Sequence, residues 1–265
     1  MVGIINIFLP LIIQILILYS LSRIIDRLVI RRLGKGWYLA TMWPGVMIHE
    51  LAHFVACLIT LTKVYKVRLF YPSGDSLGFV QHAKSHNPIK NIIISIAPLF
   101  GVTAVIWLLT KFLWPDLYVN QVSGIQAALT DFSSFKNFFA FSQDFFIQYV
   151  NYIKDLLSSL DFFSWQTYIF IYLMLTLSSH AAPSKADLKH TYYGILGLLV
   201  VFTLILMFDQ WLQVPVTWTV VQWLAKPLFM AASFITYGIV FAMFSLILLL
   251  LISLVFRVFK RGVSY

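Results

Sequence analysis

Six long runs of apolar residues recur along the chain. An α-helix rises about 1.5 Å per residue, so about 20 apolar residues are needed to span roughly 30 Å of hydrocarbon. The runs are residues 3–22, 37–62, 91–113, 163–182, 191–211 and 228–256. This pattern predicts an all-α polytopic membrane protein with about six transmembrane helices.

The composition excludes an ordinary soluble protein. Hydrophobic residues make up 60% of the chain and charged residues 11%, whereas a globular chain carries about 25% charge. The net charge is +9. In so apolar a chain we attribute this basic excess to loops that face anionic lipids, and not to a nucleic-acid-binding surface. We therefore expect an integral multi-pass protein embedded in a lipid bilayer, with no nucleic-acid partner.

A short segment between the second and third runs has the pattern of β-structure. Polar and apolar residues alternate over 66–71, residues 72–75 have turn chemistry, and an apolar stretch follows at 77–80. Such a sequence predicts a small β-hairpin between two transmembrane spans.

We interpret residues 1–265 as a single membrane-embedded domain. Its predicted parts are the second run, hairpin and third run (37–113), a connection with an interfacial helix (114–161), the fourth and fifth runs (163–211), and the last run with a basic tail (228–265). The hairpin, the 183–190 loop and the tail are basic, which places them in the cytoplasm and the acidic 114–161 connection outside. The basic segment 23–36 conflicts with this alternation, so either the first run does not cross as drawn or this segment lies on the outer interface.

The second run contains the motif HExxH as His49, Glu50 and His53. Residues i and i+4 lie one turn apart on the same helix face, so both imidazoles can reach one metal ion. Glu50 is the only glutamate in the chain, and it lies where a carboxylate can act as general base on a metal-activated water. Ionisable groups at membrane depth are costly and are by default functional. The spacing therefore predicts a catalytic zinc site.

A catalytic zinc site needs a third protein ligand. The best candidates lie near the break at Pro183, where Asp187 and His180 are available. Asp187 follows Ser184 by three residues, which is also close to the pattern of a helix capping box. From spacing alone, ligand and cap are equally good interpretations of Asp187. Cys57, one turn beyond His53, is better explained by packing.

These motifs resemble those of the site-2 protease (M50) family of intramembrane zinc metalloproteases, and are most similar to its compact bacterial members. The resemblance rests on HExxH within an apolar helix, on the hairpin that follows, and on the segment Ala97-Pro98 early in the next run. It implies one zinc ion per chain, bound by His49, His53 and Asp187, with His180 as the alternative third ligand. The family's Asp-Gly pattern is absent, because Leu188 follows Asp187.

The resemblance further implies a multi-pass protein of a bacterial cell membrane that hydrolyses peptide bonds of transmembrane or membrane-associated substrates. Glu50 is then the catalytic base. We expect the hairpin to pair with an unwound substrate segment by β-augmentation. The candidate substrate-binding residues are Leu69, Phe70, Phe79 and Val80.

Two other classes of function stay open at this point. A transporter could also use broken helices and buried ionisable groups, although the sequence shows no inverted repeat. A catalytically silent relative could keep the fold as a scaffold or chaperone. Metal content separates the enzyme from both.

Overall fold

The structure is a computed structural model. It describes residues 2–72, 77–83, 85, 87–113, 147, 151, 154–155, 158–184, 187, 207, 235–236 and 238–254.

The described chain is mainly helical, with one small sheet. Its helices are α1 (Val2–Arg32), α2 (Lys35–Ile59), α3 (Pro88–Leu113), α4 (Trp165–His180) and α5 (Gly238–Leu254). Its strands are β1 (Val64–Arg68) and β2 (Phe79–His82), between α2 and α3. The prediction of a helical protein with a β-hairpin after the second apolar run is confirmed at this level.

The first apolar run, residues 3–22, is only part of a longer helix. Helix α1 continues through the basic residues to Arg32, and α2 begins three residues later at Lys35. Gly34, at φ 92°, makes the tight turn between them. Arginine is a good helix former, and the helix here is amphipathic, since Ile25 and Val29 are buried while the arginines beyond them are exposed.

The described residues do not show six transmembrane spans. Two helices are long and apolar enough to cross a membrane, Lys35–Ile59 and Ile89–Leu113, and Gly238–Leu254 is a shorter apolar helix. Helix α4, in the predicted fourth run, has 16 residues. The predicted fifth run apart from residue 207, the basic tail and most of the predicted interfacial helix lie outside the described residues.

The hairpin has an irregular antiparallel register. Arg68 pairs with Phe79 and Val67 with Val80, and the register shifts between Val64 and Lys66. Beyond the strands, the Tyr71 N–H donates to the Leu77 carbonyl over 2.5 Å.

Helix α2 is central, because it contacts α1, α3, α4 and both strands. Glycines allow two of these contacts. A Cβ atom on Gly101 of α3 would lie 2.5 Å from Cβ of Ala52. A Cβ atom on Gly45 of α2 would overlap the Thr176 carbonyl oxygen of α4 and lie 2.7 Å from Nδ1 of His180. The buried core around α2 draws on all five helical regions, with members that include Leu18, Ile25, Met42, Leu99, Val102, Ile106, Phe170, Met174, Leu177, Ile239 and Phe241.

Candidate metal centre

The two motif histidines lie one helical turn apart on α2, and hydrogen bonds orient both rings. His49 and His53 are 9% and 7% exposed, and their ring centroids are 5.0 Å apart. His49 Nδ1 donates to the His180 carbonyl over 2.8 Å, and His53 Nδ1 donates to the Ile94 carbonyl over 2.8 Å. In a neutral imidazole with Nδ1 protonated, Nε2 keeps its lone pair, so both Nε2 atoms can bind a metal.

Asp187 brings a carboxylate to these two nitrogens from far along the chain. Its Oδ1 lies 3.2 Å from His53 Nε2, and its Oδ2 lies 3.6 Å from His49 Nε2. Oδ2 also accepts the Ser184 backbone N–H over 2.6 Å, while Ser184 Oγ accepts the Asp187 N–H over 3.2 Å. Asp187 therefore has the geometry of a capping-box residue and faces the histidines as well.

His49, His53 and Asp187 have the arrangement of a metal-binding group. One ligand atom from each lies within 4.8 Å of the others. Ligands at about 2.0–2.2 Å in a tetrahedral shell lie about 3.4 Å apart, close to the two separations between the carboxylate and the imidazoles. Two imidazoles and one carboxylate form a donor set that suits a catalytic zinc ion with an open position. These residues could hold a metal, and the geometry does not identify which one.

Glu50 lies beside this group of three ligands and is in close contact with the hairpin. It lines the same cavity as the two histidines and Asp187. A Cβ atom on Gly78 would lie 2.7 Å from Glu50 Cγ and 2.8 Å from the Leu69 carbonyl oxygen. A side chain at position 78 would therefore displace either the glutamate or the hairpin.

The other sequence candidates have different surroundings. His180 contributes its carbonyl to His49, while its ring Nδ1 lies 3.0 Å from the Thr176 carbonyl oxygen and 2.9 Å from Ser179 Oγ. It thus positions a ligand and is not part of the group of three. Cys57 is buried in a small apolar cluster, as expected for packing.

The metal-binding group opens into a cavity of about 720 Å³. Among the hairpin candidates, Phe79 and Val80 line this cavity, whereas Leu69 and Phe70 are not part of its lining. All of β2 lines the cavity and no residue of β1 does. The strand that faces the candidate centre is therefore β2.

Helix α1 supplies a wall of this cavity that the sequence interpretation missed. Its lining residues are Tyr19, Ser22, Arg23 and Asp26. Their spacing of i, i+3, i+4 and i+7 is that of one helix face. This polar stripe, which crosses from the first apolar run into the basic segment at helical spacing, is the sequence signal that could have identified the wall.

Comparisons with known proteins give no support for or against a family. No protein-family model matches the chain, and no curated protein and no solved structure matches it.

Proposed function

We propose that the chain is an intramembrane zinc metalloprotease. The observation that carries this proposal is the convergence of His49, His53 and Asp187 within 4.8 Å, with Glu50 lining the same cavity. Two imidazoles, a carboxylate and an adjacent glutamate form the constellation required for metal-assisted hydrolysis. Two of the helices that surround it are apolar enough to cross a membrane, which supports a reaction within the bilayer.

The protein side chains divide the work of this reaction. When bound, zinc polarises a carbonyl and lowers the pKa of a water molecule to about 7. Glu50 takes the proton of the attacking water and delivers it to the leaving nitrogen. The carbonyls of His180 and Ile94 keep the two histidines in the tautomer and orientation that leave Nε2 available.

We propose that substrates are transmembrane or membrane-associated proteins, and that β2 presents them to the centre. Helical substrates have their carbonyls engaged in hydrogen bonds to residues four positions on, so the scissile segment must unwind first. An unwound segment needs new hydrogen-bonding partners inside a membrane. A strand that lines the cavity beside Glu50 can supply them by β-augmentation, with Phe79 and Val80 nearest to the substrate.

The wider setting belongs to the same proposal. We place about six spans in a bacterial cell membrane, with 114–161 outside and the hairpin toward the cytoplasm. The apolar runs and the distribution of basic residues support this arrangement.

The test is cleavage of a membrane-embedded test substrate by purified protein and by the variant Glu50→Gln. Removal of a general base lowers the rate by about 10²–10⁴-fold, whereas the metal ligands are untouched. We expect the variant to retain one zinc per chain and to lose cleavage. If the parent protein binds zinc but cuts no substrate, the chain is a scaffold of the same fold. Equal cleavage by both proteins would show that Glu50 is not the base.

A further inference from the structure

We propose that Arg23 and Ser22, on the α1 wall of the cavity, bind an acidic side chain of the substrate about five residues from the scissile bond. This inference rests on the proposed proteolytic function and adds a specificity-determining subsite to it.

The first argument is continuity with the metal centre. Arg23 and Ser22 line the same cavity as His49 and Glu50. A peptide with its scissile carbonyl at the histidines can therefore extend to α1 without leaving the cavity.

The second argument is that Arg23 and Ser22 have hydrogen-bonding groups available for a ligand. Arg23 stacks on Tyr19, with its guanidinium carbon 5.6 Å from the ring centroid, and forms no ion pair within 4.0 Å with any described carboxylate. Ser22 is 5% exposed, and its Oγ has no hydrogen-bond partner among the described residues. A guanidinium and a hydroxyl can together bind a carboxylate.

The third argument is the sign of the charge. Asp26 is the nearby acidic group, and it already accepts a hydrogen bond from Tyr38 Oη over 3.1 Å. Arg23 is the only arginine or lysine among the described residues that line the cavity. At this position the wall therefore favours an acidic over a basic substrate residue.

The spacing along α2 sets the position in the substrate. Tyr38, which binds Asp26, precedes His49 by 11 residues, or about 16 Å along a helix axis. An extended peptide advances about 3.3 Å per residue. Arg23 lies three residues from Asp26 on α1, or about 5 Å along the helix axis. About four to six substrate residues therefore separate the scissile bond from Arg23.

The experiment measures binding, so that it does not depend on turnover. The cleavage site of a test substrate is first located by mass spectrometry with the parent protein. Fluorescent peptides that carry Glu, Gln or Lys four to six residues to either side of this bond are then titrated onto the zinc-loaded variant Glu50→Gln. We expect one position at which Glu binds about tenfold more tightly than Gln, the range of a charge-assisted hydrogen bond.

Substitutions in the Glu50→Gln background identify the residues that give this preference. Arg23→Gln should remove the preference, Arg23→Glu should change it to Lys, and Ser22→Ala should reduce it. Arg27→Gln is the matched control, since Arg27 is exposed one turn further on, and should leave the preference unchanged. Zinc content verifies that each variant is folded.

The outcomes separate this subsite from the proposed function. Equal affinity for Glu and Gln at every position, with cleavage by the parent intact, would overturn the subsite alone. A preference that survives Arg23→Gln would overturn it as well. A parent protein that binds no zinc or cuts nothing would overturn the proposed function.

Discussion

The backbone N–H of Ser184 donates to Oδ2 of Asp187 over 2.6 Å, and the Asp187 N–H donates back to Ser184 Oγ over 3.2 Å. This reciprocal pair fixes the carboxylate at the point where its other oxygen lies 3.2 Å from His53 Nε2. The two interpretations of Asp187 drawn from spacing, ligand and cap, are therefore compatible. The cap positions the ligand.

Substitution of Asp187 separates its two roles. In Asp187→Asn the amide oxygen can still accept the Ser184 N–H, but the charged metal ligand is lost. We expect at least a 100-fold loss of zinc affinity with little change in melting temperature, measured by zinc titration and thermal unfolding in detergent. One zinc per chain at unchanged affinity would show that Asp187 is not a ligand.

Ser184→Ala is the complementary change. It removes the hydroxyl acceptor for the Asp187 N–H, and loss of such a cap costs about 1 kcal/mol of stability. Because the carboxylate is then held less firmly, zinc affinity should fall by about tenfold, as for other residues that orient metal ligands. The same two measurements test this. An unchanged zinc affinity would contradict a positioning role for the cap.

Gly78→Ala tests the contact between the hairpin and Glu50. The added Cβ would meet Glu50 Cγ at 2.7 Å, so the glutamate must move from its place beside the metal group. We expect at least a tenfold loss of kcat with zinc content unchanged, since small misplacements of catalytic groups can cost up to about 100-fold. The control is Gly36→Ala, because nothing lies within 4 Å of a Cβ there. Unchanged kcat in Gly78→Ala would rule out this dependence.

Gly45→Ala tests the approach of α4 to α2. The new methyl group would overlap the Thr176 carbonyl, and overpacking of this kind costs about 1–3 kcal/mol. If α4 is pushed away, the His180 carbonyl no longer reaches His49, and zinc affinity should fall by about tenfold. Thermal unfolding and zinc titration measure the two effects. A destabilised variant with full zinc affinity would show that His180 does not position His49.

Metal removal should lower stability by mass action. A ligand present at 1,000 times its Kd stabilises the folded state by about 4 kcal/mol. Chelation should therefore lower the melting temperature of the parent protein by several degrees. His49→Ala, which lacks a ligand, should melt at the same temperature with and without chelator. If chelator leaves the melting temperature of the zinc-loaded parent protein unchanged, the metal does not stabilise the folded state, and the prediction is contradicted.

Local patterns made much of this structure predictable from the sequence. His49 and His53 belong to one helix turn, so their spacing alone places them together. The alternation over 66–71 and the turn residues after it indicated the hairpin, although both strands are offset from the pattern, with β1 at Val64–Arg68 and β2 at Phe79–His82.

Features that depend on tertiary contacts could not be predicted in the same way. Spacing cannot decide whether Asp187 or the ring of His180 reaches the histidines, because the answer depends on how α4 packs against Gly45 of α2. The extent of α1 was missed because the apolar run ends at residue 22, where the basic segment with Arg23 and Arg27 begins. In the structure Arg23 lines a cavity with polar groups, so an otherwise apolar helix can include this charged side chain.

The measurement that tests the account most directly is the anomalous X-ray signal of purified protein at the zinc absorption edge. We predict one zinc per chain, within about 2.0–2.2 Å of Nε2 of His49, Nε2 of His53 and a carboxylate oxygen of Asp187. Protein purified with zinc present that gives no signal at these residues, or a signal at other side chains, would contradict the account.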